Sequence, residues 1–147
     1  MEAARIFSLE EANALVPRLT AEFSAIAKLR DEVARVARAL GGPDEAVELL
    51  ERRRAPTPEE AGQADRLRGM ADEIARVVSR IHDFGGLVKD LELGLVDFYG
   101  EVGGEQVFLC WQFGEVEIRH WHALDEGFAS RRPIAVRRGP DARPLLN

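Results

Sequence analysis

Hydrophobic positions along the chain follow two periods, and the change falls near Gly85. Upstream, Leu19, Ile26, Val33 and Leu40 recur every seven residues, with Leu29 and Val36 between them and Glu22 as an interruption. That spacing lines up one face of a helix at near-heptad repeat. Ser8 followed by Glu11, with Phe7 before the cap, has the form of a capping box with a hydrophobic staple. Gly41-Gly42-Pro43 supplies the stop. A helix from Leu9 to Leu40 would be roughly 45–50 Å long and needs a partner along its length. Pro17 lies inside the span and is expected to kink or break it.

The partner follows in the chain. Residues 44–54, "DEAVELLERRR", read as a short helix with acids first and arginines last, matching the helix dipole. Thr57, Pro58 and Glu60 then announce a second long helix, as N-cap, first-turn proline and the far end of a second capping box. Leu67, Ile74 and Ile81 repeat at seven within it, beside Met70, Ala71, Val77, Val78 and Phe84, and Gly85-Gly86 ends it. Two long amphipathic helices in succession predict an antiparallel hairpin.

Beyond Gly85 the pattern is that of strands: Val, Leu, Phe and Tyr punctuated by glycine. Residues 95–99 and 106–111 are predicted strands joined by the Gly-containing loop "GEVGGE", and residues 87–91 offer a third. "FGEVEIRHWHALDEGF" mixes extended structure with a short helix ending near Gly127. The Arg/Pro-rich tail, 129–147, is expected to be extended or partly disordered. The expected fold is α+β: a long antiparallel helical hairpin with a short third helix, then a small antiparallel β-sheet and a short C-terminal helix. All of 1–147 is read as one domain, with a helical part (1–84), a sheet-and-turn part (85–128) and the tail.

Composition changes this picture little. At 147 residues, 46% hydrophobic and 31% charged, the chain suits one soluble globular domain with a real core. A net charge of −6 argues against a nucleic-acid partner, because phosphate contacts call for a basic face. The single cysteine excludes an intrachain disulfide. The N-terminal stretch carries acids where a signal peptide needs hydrophobes, and "VFLCW" is far too short to span a bilayer. A cytoplasmic protein without a membrane partner is therefore expected. Charge is uneven: residues 85–126 hold Lys89 and Arg119 against nine acids, whereas 127–147 hold five arginines against Asp141. The tail is complementary to the acidic region, on this copy or on another.

The chemistry-bearing residues crowd into "LCWQFGEVEIRHWHALDEGF", from Leu109 to Phe128, which holds the only cysteine, both tryptophans and two of three histidines. Cys110, His120 and His122 are candidate ligands for zinc or another divalent metal, with Asp97 or Glu115 adding oxygen. His120 and His122 share a face if their segment is extended, and His120 is the one expected to face solvent. The C-x9-H-x-H spacing matches no closed zinc motif. Cys110 is also a candidate nucleophile, but in "VFLCWQF" it reads as a buried small hydrophobe whose acidic neighbours raise its pKa. Asp97, inside the apolar "LVDFY", is a candidate acid–base group, because a buried aspartate must be paired. Lys89, His122 and Arg131 are its candidate partners, and a purely structural tie between strands is the simpler reading. His122 completes the catalytic candidates. No phosphate-cradling glycine motif is present, though Arg131 could hold an anion.

Four phrases together resemble a known family. "FSLEEANALVP", "VKDLELGLVDF", "LCWQFGE" and "WHALDEGFASRRP", spread from Phe7 to Pro133, are similar to the bacterial domain of unknown function 2203 family. The resemblance implies a helical first half and a glycine-punctuated second half, and carries no activity with it. It implies that Lys89, Asp90, Asp97, Cys110, Trp111, Glu115, Trp121, His122 and Arg131 belong to the family motif, His120 less clearly so. Lys89, Asp90, Glu115 and Arg131 are accordingly candidates for binding a small-molecule ligand of unknown identity. The expected function is binding or assembly, as a homodimer joined through apolar surface left on the long helices, for which Phe23, Leu29, Met70 and Val78 are candidates. The alternative is a small enzyme, with or without a metal, whose site lies where Asp97, Cys110, Glu115 and His122 converge.

Overall fold

A computed structural model describes residues 5–135. The fold is α+β: helices first, then a five-stranded antiparallel sheet in the order β1-β2-β3-β4-β5. The chain divides into two compact units, Met1–Phe23 with Ile81–Asn147, and Ser24–Arg80. Residues 136–147, most of the Arg/Pro-rich tail, lie outside the described part.

The expected first helix is two. α1 spans Leu9–Ala14 and α2 spans Val16–Ala39. The break falls at Leu15, so Pro17 becomes the second residue of α2, where its missing N–H would have had no partner anyway. At the start of α1 the Ser8 hydroxyl accepts the Glu11 N–H at 3.0 Å and the Glu11 carboxylate accepts the Ser8 N–H at 2.9 Å. The capping box is complete.

In the helical unit, α3 (Pro43–Leu50) joins α2 to α4 (Ala61–Asp83). Val36, Ala37 and Leu40 of α2, Ala46 and Leu49 of α3, and Ala64 and Leu67 of α4 form one apolar cluster, with Val33 and Met70 at its margin. The C-terminal half of α2 thus meets the N-terminal half of α4, as an antiparallel hairpin requires. Glu32 bridges the same pair of helices through ion pairs to Arg35 and Arg66. The arginines expected in the last turn of the short helix lie beyond its end. Arg54 instead bonds Glu45 (2.9 Å) and Glu60 (2.8 Å), clipping the α3–α4 connection. The Thr57 N–H does donate to Glu60, but regular helix begins only at Ala61.

In the sheet unit, β1 is Leu87–Asp90, β2 Leu95–Val102, β3 Glu105–Gln112, β4 His120–Ala123 and β5 Arg132–Pro133. β2 and β3 pair without interruption over eight residues. Their turn shrinks to Gly103-Gly104, whose φ of 58° and 84° suits the type I′ geometry that matches strand twist. The expected C-terminal helix is a single 3-10 turn, Phe128–Ser130, that follows Gly127 rather than ending there.

The sheet has two different faces, because side chains alternate along each strand. Phe98 meets Phe7 edge-on at 5.0 Å, and Trp111 meets Phe23 at 5.6 Å. Val96 and Leu109 share that face and are fully buried. Phe7 also donates its N–H to the Tyr99 carbonyl, binding the N-terminal segment to β2. Gly85, at φ 103°, lies against the Phe7 ring where a Cβ would stand 2.4 Å from it. Both φ and space therefore demand glycine there. Phe23, expected as exposed apolar surface, is buried against Trp111 and Phe113. Leu29, Met70 and Val78 are half-buried.

Candidate functional site

The opposite face of the sheet carries Leu95 and Asp97 from β2, Phe108 and Cys110 from β3, and His120 and His122 from β4. Ladder register sets the first neighbours: Asp97 lies beside Cys110, and Phe108 beside His122. Asp97 (2% exposed), Cys110 (1%) and His122 (2%) are all deeply buried. One donor atom from each falls within 4.8 Å of the others.

Lys89 reaches this group through an irregularity. β1 pairs Val88 with Val96 but Asp90 with Leu95, so Lys89 is an extra residue in the ladder. Bulges of this kind re-aim a side chain. The Lys89 ammonium stands 4.2 Å from the centre of the Phe108 ring and 3.9 Å from Asp97 Oδ2. Glu126, Gly127 and Phe128 close the surroundings, leaving a cavity of about 100 Å³ lined also by Leu95, Asp97, Cys110 and His122. Every lining residue belongs to the sheet unit.

Hydrogen bonds define the state of His122. Its Nδ1 lies 2.9 Å from the Ala123 carbonyl oxygen, and a carbonyl only accepts, so Nδ1 carries a hydrogen. Nε2 faces Asp97 Oδ2 at 3.1 Å. Two acceptors cannot meet there bare: a proton or a cation must lie between them. Asp97 Oδ1 has no hydrogen-bond partner among the described residues. Burial holds the Asp97 carboxyl above its ordinary pKa, against the opposing pull of His122, the Cys110 thiol and Lys89. Burial, reinforced by Asp97, pushes the Cys110 thiol up to about 12. A free thiol in this position is protonated and is no nucleophile.

Other sequence candidates fall into a separate group. Glu115, expected at the Asp97 cluster, instead accepts two hydrogen bonds from Arg131 Nη2, at 2.8 and 2.9 Å. The same Arg131 nitrogen donates to the Cys110 carbonyl at 3.3 Å and to His120 Nδ1 at 3.1 Å. Glu115 also accepts the Gln112 N–H, and its carbonyl accepts the Trp111 indole N–H. This network ties the loop after β3 to the 3-10 turn. Arg131 is therefore not Asp97's partner, and His120, expected to face solvent, is held half-buried against Arg131. Its Nδ1 is spent on that bond, which separates it from the Asp97, Cys110 and His122 group. Asp90 accepts the Leu93 N–H at 2.8 Å and shapes the β1–β2 turn. Sequence reasoning missed the roles of Glu126 and Phe128. Glu126 caps the turn after β4 by accepting the Ala123 N–H, and pairs with Arg132. The one sequence-level sign was their place in the "DEGF" that follows "HWHAL".

The family profile described as "Uncharacterized conserved protein (DUF2203)" matches residues 5–134. The chain belongs to this family. No curated protein and no solved structure matches the chain. The match to the DUF2203 family covers all four helices and all five strands, so the Asp97, Cys110 and His122 group lies inside the matched region. No helix among the described residues is long and apolar enough to cross a membrane.

Proposed function

We propose that this DUF2203 protein binds one divalent cation of the zinc class through Asp97, Cys110 and His122, as the centre of a small metal-assisted enzyme. The observation that carries the proposal is the pairing of His122 Nε2, its other nitrogen already committed to a carbonyl, with a buried Asp97 carboxylate that has an unpartnered oxygen. A histidine whose second nitrogen donates to a backbone carbonyl has the tautomer and orientation of a metal ligand. Oxygen, sulfur and nitrogen donors together suit zinc. With bond lengths of about 2.0–2.3 Å, the edges of a zinc tetrahedron are about 3.3–3.8 Å, so the widest donor separation closes by about 1 Å. Three protein donors would leave a fourth position open, the pattern of catalytic rather than structural sites, and the same three residues line the cavity. A cation so held supplies Lewis-acid chemistry.

Equilibrium dialysis of chelator-treated protein, freed of any His-tag, against zinc tests the reading. One ion per chain is expected, with loss of binding in His122→Gln and in Asp97→Asn. Absence of zinc from the wild-type protein, or binding by both variants at the wild-type level, would sink it.

Self-association through the helices is a second proposal. Val47 and Leu50, three residues apart on α3, are both exposed and supply an apolar spot for it. Light scattering should then report a dimer that Val47→Glu dissociates, and a monomer at high concentration would remove this reading.

A further inference from the structure

We infer that the cavity binds a small carboxylate with a short apolar tail, its head shared between the cation and Lys89 and its tail between Leu95 and Phe128. The inference rests on the metal reading above and names the ligand class of the same site.

The charges at the cavity point to an anion. Lys89 is placed there by the β1 bulge and steadied by the Phe108 ring. At 3.9 Å from Asp97 Oδ2, its ammonium is beyond hydrogen-bond distance of that carboxylate, although its side chain is 44% exposed. A divalent cation held by the Asp97 carboxylate and by Cys110 as thiolate, its proton released on binding, would be neutral overall, so Lys89 would lose its carboxylate partner, and an anion at the cation's open position would give that charge a partner again. Glu126, the other charged lining residue, does not cancel this. Its two oxygens are occupied by the Ala123 N–H and by Arg132.

Size and wall chemistry narrow the class. About 100 Å³ is well short of the roughly 300–1,000 Å³ that drug-sized ligands and cofactors occupy. Leu95 is almost fully buried and Phe128 is part-exposed at the mouth. Arg131 lies over Phe128 at 4.9 Å and holds that ring in place. The walls thus offer apolar contact beside the charged end. A carboxylate with a tail of a few carbons uses both, whereas a phosphate uses only the charge.

Cobalt-loaded protein titrated with propionate and, separately, with inorganic phosphate tests the inference through the visible absorption of the metal. The expected result is a saturable spectral change with propionate, tighter than with phosphate. Lys89→Met should keep metal affinity and weaken propionate by about tenfold, the loss of one favourable charge contact. Bound cobalt with no propionate response, phosphate binding as tight or tighter, or unchanged propionate affinity in Lys89→Met would overturn it. Protein that binds no cobalt would sink the metal reading itself, and this inference with it.

Discussion

The two faces of the sheet are built by alternate residues of the same strands, yet they solve opposite problems. On one face Val96, Phe98, Leu109 and Trp111 are buried among Phe7 and Phe23, with one polar atom, the Trp111 indole nitrogen, satisfied by a carbonyl. On the other, Asp97, Cys110 and His122 are buried as deeply but leave one carboxylate oxygen unpartnered. The first face stabilises by removing apolar surface from water. The second costs stability, because desolvated ionisable groups are repaid only by full pairing. A chain that needed only a fold could have carried Val or Leu at Asp97. The difference is what the proposed metal site accounts for: a face that costs stability has a reason to be kept if it binds.

The sharpest way to break this comparison is to remove an anchor from each face. Trp111→Ala should cost about 3–5 kcal/mol, read as a fall in the urea midpoint, because it empties the Phe23 contact and orphans the Glu115 carbonyl. Cys110→Ala, one ladder position away on the other face, should cost much less. Equal losses would mean that both faces serve the fold alike.

The next effect is a pH dependence. The Cys110 thiol, ordinarily near 9.0, is pushed up to about 12 in the fold. Between those values the unfolded chain has lost the proton that the folded chain still holds. The unfolded state then binds fewer protons, so stability falls as pH rises through this window, by about 1.4 kcal/mol per pH unit at the steepest. Denaturation of metal-free protein from pH 8 to 11 should show that slope in the wild type and not in Cys110→Ala.

Asp97→Asn is a smaller test, in which the substitution is expected to add stability rather than remove it. Burial raises the Asp97 pKa, so the ionised carboxyl disfavours the fold, and the penalty sets in as pH rises above the ordinary carboxylate value. Asparagine removes the charge, and its amide can donate to His122 Nε2. We expect metal-free Asp97→Asn at pH 7 to be as stable as the wild type or more stable by about 1 kcal/mol, while losing the metal. A site held for binding at the expense of stability behaves this way. Marked destabilisation would make Asp97 a structural tie.

Much of this was legible in the residues alone. The seven-residue repeat ending at Leu40 and the one through Leu67 and Ile81 marked the helical faces, and burial follows them. Asp97 stood out because aspartate is rare inside an apolar strand, and His122 was among the partners that a buried aspartate calls for. The strand patterns could not show register. Whether Glu115 meets Asp97 or Arg131 depends on how the loop from Phe113 to Arg119 closes, which is set by long-range contacts such as the Ile118 N–H bonded to Asn13. The bulge that turns Lys89 toward Asp97 is equally invisible, since it exists only where two strands pair. His120 shared the predicted face with His122, but a single arginine, eleven residues on, took its nitrogen.

The smallest effect lies in the helical unit, at a carboxylate that is near water and paired. Arg54 clips Glu60, whose carboxyl is held down to about 2 by the guanidinium and by the Thr57 N–H. For a carboxyl with a lowered folded pKa, the stabilisation is present above the ordinary value of 4.5 and is lost as pH falls through about 2. Solvent screens a pair this exposed, so Glu60→Gln should shift the unfolding midpoint only slightly at pH 7 and flatten its decline in acid. If Glu60→Gln proved as damaging as Trp111→Ala, the division between a surface that tolerates charge and a sheet face that stores it would fail. A near-silent Glu60→Gln beside a metal-abolishing Asp97→Asn would separate the two kinds of carboxylate by role, not by abundance.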